Sequence, residues 1–193
     1  MTAQFLDGFR YKEKDYAIAG IHGEALFDPE NLGLNPAVTC TACSRGYVCT
    51  YTLLGKQLVV SRLAVNLLDF HAEPEWLPVP GPEINGRKPM LAEERFPLFN
   101  NLYEDLELPV RFTGGLLIAR DFIQELYVHM GFHPAWKFHE VWELLFDDGI
   151  LTESQDVSLK VAELRKKLEP TLLKPKEPKG KLKWVKDTFK LDY

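Results

Sequence analysis

A chain of 193 residues is long enough for one domain with a sizeable buried core, or one domain plus an appendage. Its 46% hydrophobic and 12% aromatic content exclude disorder of the whole chain, and no apolar run approaches the ~18 residues of a membrane-crossing helix. The formal net charge of −5 is unevenly spread: residues 157–193 carry ten Lys and one Arg against five acids, a net of +6, whereas residues 1–156 carry 12 bases against 23 acids, a net of −11.

Most of the acid excess lies between Asp69 and Asp156, with 17 carboxylates against six bases. An acidic body repels phosphate backbones, so nucleic-acid binding is expected only through the basic tail. Basic partners would be steered toward the middle segment. The N-terminus, Met-Thr-Ala-Gln-Phe-Leu-Asp-Gly, lacks the basic start and apolar core of a signal peptide. Cys40, Cys43 and Cys49 form an odd set that fits reduced thiols better than a disulfide framework. Together these features predict a cytoplasmic protein with no membrane partner.

Residues 9–20 alternate apolar and polar positions around a charged centre, as in two short strands joined by a tight turn. Paired turn signals then make a loop of 28–36. Tyr47–Leu53 and Leu58–Leu68, rich in Val, Leu, Thr and Tyr, predict a hairpin through Gly55. From His71 to Pro97, six prolines break any ladder and predict a long loop that packs down through Trp76, Leu77, Val79 and Ile84.

Phe99 to Leu108 reads as a short helix, Phe112 to Ala119 as a buried strand, and Asp121 as the N-cap of a helix through Met130 that Gly131 ends. Between Pro134 and Gly149 the apolar residues fit a helical stripe, yet Trp142, Leu144 and Phe146 also alternate. Asp147 and Asp148 would oppose the dipole of a helix there and suit a turn, so a hairpin is predicted. Asp156 and Ser158 are candidate caps of a last helix, Leu159–Leu168, which Pro170 stops. The expected fold is therefore α+β: one domain over 1–169, mainly antiparallel sheet with two or three short helices packed on it, a Pro-rich loop at 71–97 and a basic tail at 170–193.

No reaction signature stands out. Cys40-x-x-Cys43 with Cys49 or His22 could hold zinc or form a redox pair, but no second Cys-x-x-Cys exists and structural cysteine is the preferred reading. His129, His133 and His139 lack the unbroken helix and general base of a zinc protease, and His129 or His133 lining a pocket with Trp136 and Tyr127 is the better functional reading. Thr113-Gly114-Gly115 lacks the Lys-Ser or Lys-Thr of a phosphate loop. It reads instead as a strand whose glycines admit a neighbouring backbone. Neither a cofactor nor a metal nor a catalytic residue is assigned.

The sequence thus points to a non-enzymatic protein-binding domain with an acidic interaction surface, of which small proteins that neutralise a basic toxin or nuclease are one instance. The binding candidates are Trp76, Glu93, Glu94, Glu104, Arg120, Asp121, His129, His133 and Trp136. The alternative is a small-molecule-binding protein or enzyme with its pocket under the Pro-rich loop near His129 and His133.

Overall fold

The computed structural model describes residues 2–71, 77–92 and 97–172, with side chains up to residue 168. Among them are twelve strands: β1 (Gly8–Tyr11), β2 (Lys14–Gly23), β3 (Tyr47–Leu54), β4 (Gln57–Val65), β5 (Leu68–Asp69), β6 (Leu77–Pro78), β7 (Met90–Leu91), β8 (Asn101–Tyr103), β9 (Leu108–Pro109), β10 (Gly114–Phe122), β11 (Phe138–Asp147) and β12 (Ile150–Asp156). One α-helix, α1 (Ser158–Leu172), follows them, and three short 3-10 turns interrupt the loops.

Ten strands make one sheet in the order β12-β11-β10-β2-β1-β3-β4-β8-β7, with β9 also on β4, while β5 and β6 form a separate ribbon. All pairings in the large sheet are antiparallel except β1 with β3, which run parallel, so the sheet is mixed. Ile150 pairs with Gln57, joining β12 to β4 and closing seven strands into a barrel. Leu58 N–H donates to Gly149 O (2.8 Å) and Leu151 N–H to Lys56 O (2.8 Å) at this seam. Gly149 belongs there because its φ is +81° and an added Cβ would meet Val110 O at 2.1 Å.

Period-two alternation sorts side chains to the two faces of this wall. Phe9, Tyr16, Ile18, Cys49, Tyr51, Leu58, Leu116, Ile118, Leu144 and Phe146 fill the barrel. Outward residues of β2, β10 and β11, namely Ala19, Leu117, Ala119 and Val141, form a second core with Trp136, Phe138, Val157 and Val161. α1 covers that outer face. Asp156 Oδ1 accepts from Ser158 N (2.9 Å) at its start, and Ser158 Oγ accepts from Val141 N (2.9 Å), which ties the helix to β11.

The α+β expectation is corrected: the described residues are mostly β, dominated by one large mixed sheet, with a single α-helix among them. Two predicted helices are absent. Across 99–108, β8 pairs with β4 through Leu63↔Tyr103 and Ala64↔Leu102. The chain on either side is held by amides, Asn100 Oδ1 accepting from Leu67 N (2.9 Å) and Asn101 Oδ1 from Gly81 N (2.8 Å). In 121–130, β10 runs on to pair Phe122 with Phe138, Asp121 takes φ +59° within the strand rather than capping a helix, and only a 3-10 turn at Gln124–Leu126 remains. In both places pairing with a neighbouring strand overrides local helix propensity.

The 138–156 segment is the expected hairpin, with Asp148 and Gly149 both at positive φ in the turn, as a two-residue Asp-Gly connection requires. Gly114 admits the β2 backbone, since a Cβ there would meet His22 O at 2.1 Å. α1 runs to Leu172, past the expected stop at Pro170. The basic tail from 173 onward lies outside the described residues, as do 72–76 and 93–96 of the Pro-rich loop.

Candidate functional site

Among the described residues no helix covers the outer face of β2-β1-β3-β4. Gly8 and Arg10 on β1, Asp15 on β2, Thr50 and Thr52 on β3, and Ser61 and Arg62 on β4 line a groove of about 580 Å³. These positions are polar because their neighbours Phe9, Tyr16, Tyr51 and Leu63 take the barrel interior. Gly8 keeps the floor low, since a Cβ there would stand 3.2 Å from Thr50 Oγ1.

A β-bulge in the β3–β4 pairing supplies the far wall. The register shifts between Thr50 and Tyr51, leaving Ser61 as the extra residue. Ser61 Oγ donates to Thr50 O (3.0 Å), and Ser61 O accepts from Leu106 N (3.0 Å). Leu106 is wholly buried in the barrel core. Its neighbours Asp105 and Glu107 both take φ +48° and line the groove, so one buried leucine anchors an acidic lip on either side of itself.

Asn85 Nδ2 donates to Leu106 O (2.7 Å) and Arg87 Nε to Asp105 O (3.1 Å), fixing the lip from behind. Arg62 Nε pairs with Glu104 Oε1 at 2.8 Å. Four carboxylates, Asp15, Glu104, Asp105 and Glu107, thus share the groove with two guanidinium groups, Arg10 and Arg62. A smaller hollow of about 320 Å³ between Ala25–Leu32 and Leu108–Arg111 is lined mostly by apolar groups, and its one carboxylate, Asp28, caps Glu30 N (2.9 Å).

No family model, no curated protein and no solved structure matches this chain.

Of the residues singled out in the sequence, Glu104 lies in this groove, and Trp76, Glu93 and Glu94 lie outside the described residues. Arg120 and Asp121 are elsewhere. Arg120 Nε sits 3.3 Å from Asp121 Oδ2 and 3.2 Å from Glu140 Oε2. Glu140 also accepts from Tyr16 Oη (2.6 Å) and Trp142 Nε1 (3.3 Å), and the Tyr16 bond is the main cause holding its carboxyl below the usual range. Lys12 stands 3.7 Å over the Trp142 ring. This ionic network has its charges satisfied within the protein.

His129, His133 and Trp136 form a third group. Tyr127 Oη lies 2.9 Å from His129 Nδ1 on the surface. His133 is buried against Phe122 and Tyr127, with ring centroids at 4.9 and 5.3 Å. Its Nδ1 faces Lys137 Nζ at 3.3 Å, and its buried Nε2 has no hydrogen-bond partner among the described residues. Burial, reinforced by the Lys137 charge, pushes His133 down to about 4, and burial pushes Lys137 down to about 8. Trp136 is interior, in the second core, where its carbonyl accepts from Arg165 Nε (2.6 Å).

The described part of the Pro-rich loop is attached to other elements. Val79 N donates to Leu67 O (3.1 Å), and Tyr103 Oη donates to Pro82 O (2.9 Å). Near the cysteines, buried Asp7 accepts from Arg45 Nη1 (2.7 Å) and from Cys49 N (2.8 Å). Burial raises the Cys43 and Cys49 thiols, against the thiolate that metal or redox chemistry needs. Among the described residues no three metal-binding side chains gather, and no helix is long and apolar enough to cross a membrane.

Of the residues lining the groove, the sequence singled out Glu104 and not Glu107, Asp15, Arg10, Arg62 or the threonine floor. The available signal was polar alternation: Thr50 and Thr52 flank Tyr51, and Asp105 and Glu107 flank Leu106.

Proposed function

We propose that this chain is a non-enzymatic, cytoplasmic protein-binding domain that takes a basic segment of a partner protein into the groove on β2-β1-β3-β4. The observation that carries the reading is the acidic lip: buried Leu106 holds Asp105 and Glu107 at the rim of a hollow that also contains Glu104 and Asp15. A groove with four carboxylates and two arginines attracts cationic partners, while the arginines and hydroxyls give orientation. A basic toxin or nuclease neutralised by such a domain is one instance of the class.

The test is affinity capture from the native cell extract with the wild-type chain and with Asp105→Lys/Glu107→Lys. A single basic protein retained by the wild type, and lost both from the variant and at high salt, supports the reading. A partner retained equally by both contradicts it.

A further inference from the structure

Among the described residues nothing covers the groove, and the chain carries its own candidate occupant. Leu172 is the last described residue of α1, and the 21 residues beyond it in the sequence include seven lysines against three acids. Lys179, Lys181 and Lys183 recur at every second position. On an extended segment that period puts three ammonium groups on one side, about 6.6 Å apart. Length is no obstacle: at about 3.3 Å per residue such a segment spans up to ~70 Å, against a diameter near 40 Å for a compact domain of this size.

The opposite charge is concentrated in the groove. Glu104 is engaged by Arg62, whereas Asp105 and Glu107 are aimed at the hollow by the backbone on either side of Leu106. The other outer face of the barrel is already covered by α1.

We propose that the lysine-rich segment 174–190 of the same chain is a ligand of this groove and competes there with the basic partner, so that the domain is self-masked until a tighter ligand displaces the segment. This rests on the groove reading above. Tethering sets an effective concentration near the millimolar range. A segment whose free peptide would bind at about 0.1 mM then weakens any competitor roughly tenfold.

The test uses the full chain. Carbodiimide cross-linking at low ionic strength, read by peptide mass spectrometry, should join Lys179, Lys181 or Lys183 to Glu104, Asp105, Glu107 or Asp15 at monomer mass. Links to exposed Glu125, Glu153 or Glu163 should be fewer, and the groove links should disappear at high salt. Links found only at dimer mass, or distributed over all exposed carboxylates alike, overturn the proposal.

A fluorescent dodecalysine probe separates this proposal from the reading beneath it. Lys179→Ser/Lys181→Ser/Lys183→Ser should bind the probe about tenfold more tightly than the wild type, and the charge-matched Lys56→Ser/Lys166→Ser/Lys167→Ser should not. Equal tightening by the two triple variants eliminates the self-masking. Probe binding that ignores Asp105→Lys/Glu107→Lys eliminates the groove reading as well.

Discussion

The barrel has two outer faces made by the same alternation and treated in opposite ways. On β2, β10 and β11 the outward residues are Ala19, Leu117, Ala119 and Val141, and the chain buries them under α1 and Trp136. On β1, β3 and β4 the outward residues are Arg10, Thr50, Thr52 and Arg62, and nothing among the described residues covers them. The first face is completed by the protein's own apolar surface. The second presents polar and charged groups, with a glycine floor and a lip held by one buried leucine.

That contrast can be broken most severely on the covered side. Trp136→Ala should cost about 3–5 kcal/mol by opening a cavity between α1 and the barrel wall, read as a fall in the urea midpoint. A loss below ~1 kcal/mol would mean that α1 does not close the second core. Leu106→Ala sharpens the contrast from the other side. It should cost about 2–4 kcal/mol and also weaken binding in the groove, because Asp105 and Glu107 lose their shared anchor. Equal binding by a folded Leu106→Ala variant would detach the lip from its proposed role.

A pH series probes the packing beside the second core. His133 is held near 4 when folded, against about 6.5 for a free imidazole. The unfolded chain therefore binds the extra proton first as pH falls, and stability drops between about pH 6.5 and 4, by an amount on the order of 3 kcal/mol. His133→Leu should flatten that slope in denaturant midpoints taken at pH 4.5 and 7; an unchanged slope would place the titration elsewhere. The smallest effect belongs to the groove wall. Arg62→Ala removes a half-exposed pair with Glu104 and should change stability by less than ~1 kcal/mol, while raising affinity for a cationic probe.

The sequence made the hairpins legible because their signals are local: Gly55 between two Val/Leu-rich runs, and Asp148-Gly149 between alternating segments. It misled at 99–108 and 121–130, where short stretches with helical character are captured by pairing with β4 and β11. The parallel β1–β3 contact and the β12–β4 closure join residues about 40 and 90 positions apart, which no local pattern reveals.

The acidic middle segment includes Glu104, which lines the groove. The groove itself required knowing that Ser61 sits in a bulge and that its carbonyl holds Leu106. Trp136 and His133, buried in the fold, also read as pocket residues in the sequence, because aromatic and imidazole groups look alike there whether they line a cavity or fill a core.

The central claim is that the open face of the barrel receives a basic segment. The most direct measurement is a backbone amide NMR titration of the full chain with the dodecalysine peptide. Binding in the groove should concentrate the shifts at Gly8, Thr50, Thr52, Ser61, Asp105 and Glu107. Shifts confined to the Arg120–Glu140 network or to Tyr127–His133, with the groove silent, would contradict it.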